Sequence, residues 1–173
     1  MTEPAAKAAT EAKTEGTGAV LHHGVATPIG LLVLAERRGR IIALDWAKRE
    51  IASGRAAPTP LLDAAAAQIG AYFAKTRRAF DLPLDPQGSA FQKSAWARLC
   101  QIPWGETLTY GEMAAAVGGS ARAIGTVMGA NPIPIIIPCH RVVAAAGRLG
   151  GYSGGRGPAT KLHLLRHEGA LLL

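Results

Sequence analysis

Pro138-Cys139-His140-Arg141-Val142 sets a thiol, an imidazole and a guanidinium side by side, after the apolar run Pro134-Ile135-Ile136-Ile137. The thiolate is the nucleophilic form of cysteine, and a neighbouring base and cation favour it. In an extended segment adjacent side chains point to opposite faces. His140 therefore takes the Cys139 proton only through a bridging water or a bend after Cys139. A buried structural cysteine is the alternative, since free cysteines are often buried. A cysteine hydrolase would need an orienting group and an oxyanion hole, and neither is signalled. The other cysteine, Cys100, follows Ala95-Trp96-Ala97-Arg98-Leu99 and reads as an inert core thiol. Two cysteines this far apart make neither a disulfide framework nor a metal-ligand spacing.

The elements that would position the thiol form an α+β pattern. Residues 1–18 read as a flexible tail. Residues 19–85 read as a small sheet-plus-helix domain. Val20–Val25, Ile29–Leu34 and Ile41–Trp46 are strands around turns at Thr27-Pro28 and Arg37–Arg40, and 47–58 is a loop. Thr59 caps a helix with Pro60 at its first position. Leu61, Leu62, Ala65, Ile69, Tyr72 and Phe73 recur at helical spacing up to about Lys75. Pro83, Pro86 and Gly88 mark a boundary.

Residues 86–173 read as a mostly helical second domain. Its first helix runs from about Ser89 to Gln101. Thr109 and Glu112 form a capping box ahead of Met113–Val117. Gly118-Gly119 is a turn, and Ser120 caps a short helix to about Ala130. The pair is a helix-turn-helix or a plain helical hairpin. Prolines at 132 and 134 push their predecessors toward extended geometry, so the chain is expected to run extended into Cys139. A last helix spans about Pro158 to His167.

The 173 residues carry a net charge of +7, of which +5 falls in residues 89–173. That suits a polyanionic partner such as nucleic acid, although a basic balance also serves solubility alone. No apolar run is long enough to span a bilayer, and no export signal is evident. With few cysteines, a cytoplasmic location is expected.

Residues 89–169 resemble the catalytic domain of the O6-alkylguanine-DNA alkyltransferases, the methylated-DNA–protein-cysteine methyltransferases. The matching residues are Ile102-Pro103-Trp104-Gly105-Glu106-Thr107, Thr109-Tyr110-Gly111-Glu112, Ala121-Arg122-Ala123 and Asn131-Pro132-Ile133-Pro134. They continue in order through Pro138-Cys139-His140-Arg141-Val142 and Gly151-Tyr152-Ser153-Gly154-Gly155 to His167-Glu168-Gly169.

The resemblance implies direct-reversal DNA repair: irreversible, single-turnover transfer of an alkyl group from O6-alkylguanine, or O4-alkylthymine, to Cys139. A non-catalytic lesion sensor is the alternative reading, and the presence of Cys139 weighs against it. By resemblance His140 acts through a water and Glu168 orients it. Tyr110 donates to the leaving base, and Asn131 holds the turn that presents the cysteine. Tyr152 and Ser153 line the base pocket, and the backbone from Cys139 through Arg141 to Val142 reads the guanine edge. Arg122, flanked by Ala121 and Ala123 after Ser120, fills the gap left by an extruded base as its helix enters the minor groove. Lys93, Arg98, Arg148 and Lys161 are candidate phosphate contacts. The implied partner is double-stranded DNA containing alkylated bases, bound by a monomer, with no cofactor and no metal. Some relatives bind zinc in the first domain; here that region has His22 and His23 but no cysteine, so zinc is not carried over. The link Gly155-Arg156-Gly157-Pro158 looks slightly long, which puts the register of Glu168 in question.

Overall fold

The structure, a computed structural model, describes residues 18–47 and 59–170. Residues 1–17 of the expected tail (1–18) and 48–58 of the expected loop (47–58) lie outside the described residues.

Three antiparallel strands open the fold: β1 (Leu21–Thr27), β2 (Gly30–Arg37) and β3 (Arg40–Trp46), in the order β1-β2-β3. Thr27 pairs with Gly30 and Arg37 with Arg40, so each turn has two central residues. Arg38 and Gly39 both take positive φ, 53° and 71°, the turn that matches the twist of a hairpin. β1 alternates between half-buried and exposed residues, whereas central β2 is buried from Leu32 to Glu36.

Helix α1 (Pro60–Phe73) starts as its sequence dictates. Thr59 accepts a hydrogen bond from Leu62 N, and its own hydroxyl donates to the Glu36 carboxylate. The helix buries Leu62, Ala65, Ile69 and Tyr72 at a spacing of three to four residues. Gln68 then bonds the backbone of Asp81 in both directions, at 2.9 Å each, and fixes the connection to the second half.

The free edge of β3 joins the two halves. Ile41 N donates to Pro83 O (2.8 Å), and Asp85 N donates to Ile41 O (2.9 Å). Three residues along, Leu44 N donates to Pro132 O (2.9 Å). The same strand edge thus holds the inter-half connection and the segment leading to Cys139. The core is continuous as well: Leu32, Leu34, Ile41 and Leu44 share one buried cluster with Leu99, Met113, Ile124 and Ile133.

The second half contains α2 (Ala90–Leu99), β4 (Leu108–Thr109), α3 (Tyr110–Val117), α4 (Ala121–Gly129), β5 (Val142–Val143) and α5 (Pro158–Glu168). The expected Thr109–Glu112 capping box is complete, with Glu112 N donating to Thr109 Oγ1 and Thr109 N to the Glu112 carboxylate. Ser120 caps α4 through Ala123 N. Gly118 and Gly119, both at positive φ, turn α3 into α4. Trp96 of α2 donates from its indole to Val127 O at 3.1 Å and locks the pair to the core. β4 and β5 pair in parallel and bring Tyr110 beside the segment after Cys139.

Two expectations fail. The chain does not run extended into Cys139. Ile137 N folds back to Ile133 O (2.9 Å), with Ile135 at φ 74° between them. A β-branched residue in that region costs about 1–3 kcal/mol. Burial of Ile133, Ile135, Ile136 and Ile137 offsets it, at about 1.5–3 kcal/mol per side chain. The prolines excluded helix, as their chemistry requires, but a tight fold satisfies them as well as a strand does. The second failure is the placement of Cys100, which is exposed rather than in the core, although partial burial still pushes its thiol up and lowers its reactivity. It follows buried Leu99 at the helix end, one step round and off the apolar face.

Candidate active site

Cys139 is set by a sequence of short turns. Cys139 N donates to Ile137 O (2.8 Å) around Pro138, whose φ −81° and ψ 63° are those of an inverse γ-turn. Cys139–Arg141 then form a single 3-10 turn. This is the bend that a Cys139–His140 relay requires. Asn131 clamps the preceding loop from inside: its Nδ2 donates to Ile137 O (2.8 Å), and its Oδ1 accepts from Ile133 N (3.0 Å).

His140 is fully buried, with Nε2 2.8 Å from Glu168 Oε1. Its Nδ1 is buried without a hydrogen-bond partner. Arg141 donates from Nε to Glu168 Oε2 (2.8 Å), from Nη2 to Oε1 (2.9 Å) and from Nη1 to Ile102 O (2.6 Å). Tyr72, from α1, donates to the same Oε1 at 2.8 Å. Glu168 therefore reaches His140 despite the long link before α5. Gly169, in the left-handed conformation, ends that helix immediately after it.

The charge states follow from burial and partners. Burial pushes the Cys139 thiol up, against the opposing pull of the nearby Asn131 amide and the Lys161 charge. Burial pushes His140 down, and Glu168 only partly restores it. Burial alone would raise Glu168, but hydrogen bonds from His140 and Arg141 outweigh it and hold the carboxyl well below the usual carboxylate range. The resting site is a neutral thiol beside a neutral imidazole and an ionised carboxylate.

Cys139 is 5% exposed, and it opens into a cavity of about 340 Å³ lined by Tyr110, Gly125, Met128, Gly129, Gly151, Tyr152 and Ser153. A second hollow of about 280 Å³ meets Cys139 from the β3 side, walled by Trp46, Asn131, Pro134 and Gly154. A Cβ on Gly154 would lie 2.5 Å from the Trp46 ring, so only glycine lets the loop close over that indole. Ser153 Oγ donates to Gly129 O at 3.4 Å and ties the loop to α4. Burial pushes the hydroxyls of Tyr110 and Tyr152 up, so both remain proton donors. Tyr152 Oη is buried with no hydrogen-bond partner.

Arg122 is exposed on α4, at the same helical face as Gly125 and Gly129 of the cavity wall. Ala121 and Ser120 are exposed, and Ala123 is half-buried beside them. One expected contact is corrected, that of Lys161 with phosphate. The Arg141 side chain is committed to Glu168 and Ile102, which leaves only the backbone of its turn for the expected guanine contact. The backbone of its turn is also largely engaged: Cys139 N, Arg141 N and Val142 N donate within the protein, and Val142 O accepts from Lys161. Lys161 itself is no phosphate contact. It is fully buried, with Nζ donating to Val142 O (2.6 Å) and Gly151 O (3.1 Å) and lying 5.6 Å from the Tyr110 ring centre. Burial lowers its pKa to about 8, and only a Cys139 thiolate would pull it back up. Lys93 and Arg148 are exposed and Arg98 is half-buried. Among the described residues, no three His, Cys, Asp or Glu side chains gather as a metal site would need.

Comparison with known proteins agrees along both halves. Residues 90–170 match the family model for the 6-O-methylguanine DNA methyltransferase DNA binding domain, and residues 20–86 match that for its ribonuclease-like domain. The chain belongs to the O6-alkylguanine-DNA alkyltransferase family. It is 45% identical over 136 residues to the methylated-DNA–protein-cysteine methyltransferase of Mycolicibacterium paratuberculosis, covering 76% of this chain and 82% of that one. The constitutive enzyme of that name from Bacillus subtilis is 40% identical over 139 residues, covering 75% and 84%. Among solved alkyltransferases, the O6-methylguanine methyltransferase of Mycobacterium tuberculosis superposes with a TM-score of 0.74 at 39% identity, over 87% of this chain and 93% of that one. The same bacterium's protein in complex with DNA superposes at 0.76 with 39% identity, over 86% and 92%.

Proposed function

We propose that this protein repairs DNA by transferring the alkyl group of O6-alkylguanine irreversibly to Cys139. The observation that carries the reading is a buried thiol opening into a purine-sized hollow, backed by the His140–Glu168 pair. At about 340 Å³ the cavity sits at the small end of the usual 300–1,000 Å³ range for ligand pockets. The family membership and the named activity of its relatives support the same conclusion.

In this reading His140 Nδ1, through a water, takes the Cys139 proton as the sulfur attacks the alkyl carbon. The S–C bond forms as the C–O bond breaks, and the electron pair leaves with guanine. Tyr110 gives its proton to the departing base, which ends neutral, and the proton taken up by His140 returns through water to the phenolate, so that both side chains end as they began. Glu168 stabilises the imidazolium that forms in between. The product is a thioether with no route back to thiol, so each molecule turns over once. O4-alkylthymine is accepted by the same chemistry.

The target atom lies within the stacked duplex, so the nucleotide must be extruded. Arg122 is placed to fill the gap as α4 enters the minor groove, and Tyr152 and Ser153 enclose the base. The protein works as a cytoplasmic monomer on double-stranded DNA containing alkylated bases. No helix among the described residues is long and apolar enough to cross a membrane.

Incubation with a duplex carrying O6-methylguanine, followed by intact mass and peptide mapping, tests the reading. The expected result is one methyl on the Cys139 peptide, lost in Cys139→Ala with DNA binding retained. Binding without mass gain would identify a lesion sensor instead.

A further inference from the structure

Helical spacing assigns Tyr72 to the buried face of α1, but its hydroxyl does more than tolerate burial. Among the described residues, Tyr72 is the one side chain before residue 90 that hydrogen-bonds Glu168. A carboxylate offers about four acceptor positions. Here four N–H and O–H groups converge on it unevenly: His140 Nε2, Arg141 Nη2 and Tyr72 Oη crowd Oε1, and Arg141 Nε meets Oε2.

The phenol is held from every side. Its ring stacks on Phe80 at 5.5 Å and meets Phe73, Trp104 and His167 at 5.0–5.2 Å. The carbonyl of Tyr72 accepts from His167 Nε2 at 2.9 Å. Adjacent residues of α5, His167 and Glu168, are thereby pinned to one residue of α1.

We propose that Tyr72 is a positioning residue for alkyl transfer: its donation to Glu168 Oε1 fixes the carboxylate and tempers its pull on His140, which stays neutral with Nδ1 free for the thiol proton. This rests on the alkyl-transfer reading above. The logic is competitive. Every donor added to Oε1 withdraws electron density from the oxygen that His140 faces. Without the phenol, that oxygen draws harder on the Nε2 proton, and the imidazole becomes easier to protonate a second time. An imidazolium formed before the reaction cannot accept the thiol proton.

The neighbouring groups leave His140 as the member that changes charge. Arg141 is permanently cationic. Burial and the Glu168 charge push the Tyr72 phenol far above its ordinary value, so it always donates. Glu168 stays ionised. Lys161 of α5 and Arg141 both disfavour a charged His140, and Cys139 and Tyr152 are neutral in the resting site.

The test compares the pH dependence of methyl transfer in the full-length protein and in Tyr72→Phe, which keeps the ring packing. In parallel, nitrogen NMR follows the His140 titration in a Cys139→Ser background, where no activity is needed. The acid limb of the rate and the His140 midpoint should both rise by about half a pH unit, slowing transfer about threefold on that limb. A 3-fluorotyrosine placed at position 72, a stronger donor of the same shape, should move both midpoints down. Unchanged midpoints, or shifts of opposite sign, would overturn the proposal and leave Tyr72 a packing residue. If the unsubstituted protein gains no methyl, the alkyl-transfer reading fails on its own, while the His140 titration still decides the effect of Tyr72.

Discussion

Glu168→Gln keeps the shape of the carboxylate and removes its charge, which isolates what that charge does. Glu168 is 4% exposed and Arg141 6% exposed, so the pair is shielded from solvent. Removing one partner of such a pair strands the other and costs about 3–5 kcal/mol. The amide makes matters worse, because its NH2 must face a donor where an oxygen stood. Only one of the two original oxygens remains for His140, Tyr72 and Arg141. A loss near 4 kcal/mol lowers Tm by about 8–16 °C for a chain of this size. Urea denaturation followed by circular dichroism near neutral pH reads it directly. The folded Glu168 pKa is depressed below the ordinary 4.5, so its contribution is complete above that value and is lost as the pH falls through the folded pKa. The stability gap between the two proteins should stay constant from about pH 5 to 8 and narrow in stronger acid. His140, also depressed below its ordinary 6.5, makes both proteins less stable as the pH drops below that value. Methyl transfer should slow by about 100-fold or more as the imidazolium loses its counter-charge. A stability loss under about 1 kcal/mol, the value of an exposed pair, would refute the account of a desolvated anion organised by four donors.

Arg122→Ala should slow repair of duplex DNA by at least about tenfold while leaving reaction with free O6-benzylguanine within about twofold, measured as alkylated protein against time; equal slowing would remove Arg122 from base extrusion. Gly154→Ala drives a methyl group to within 2.5 Å of Trp46 and should cost about 1–3 kcal/mol in urea denaturation; a neutral result would show that the loop moves freely off the indole. Iodoacetamide should modify exposed Cys100 before buried Cys139, read by peptide mapping; the reverse order would contradict the neutral, sheltered Cys139 thiol.

What the sequence made legible was local. Thr59-Pro60, Thr109 with Glu112, and Ser120 announce helix starts through hydrogen bonds that span three residues, and all of them form, whereas the equally complete capping box at Ser89 and Gln92 went unread. The hairpins follow equally from short-range turn chemistry. The thiol-imidazole pair was legible because its members are adjacent. What stayed hidden depends on distant packing. Tyr72 and Glu168 are 96 residues apart, and nothing local marks them as partners. Lys161 did leave a trace: with Leu164, Leu165 and Glu168 it completes an i, i+3, i+4, i+7 stripe, the buried face of α5. Two charged residues on an apolar stripe imply a polar interior, and treating Lys161 as a phosphate contact overlooked that. The fold before Cys139 was illegible for a different reason, since proline excludes helix without choosing among the alternatives.

The neutral resting pair has a chemical consequence for a protein whose acceptor is consumed. A permanently formed thiolate would be open to oxidation and to stray electrophiles at all times. Burial here holds the thiol protonated and the imidazole uncharged, so the reactive anion exists only while proton transfer is coupled to attack. Lys161 fits the same scheme. Its ammonium sits behind the pocket, bonded to Val142 O and Gly151 O, where it favours negative charge on Cys139 without touching bulk solvent. Asn131 also favours the anion. Stabilisation of the thiolate is thus built into the walls, but burial keeps it smaller than the desolvation penalty until a proton acceptor and substrate are both in place. The first half of the chain takes part in that balance: the edge of β3 holds Pro132 in the loop that presents the cysteine, and α1 supplies the hydroxyl that sets the carboxylate behind His140.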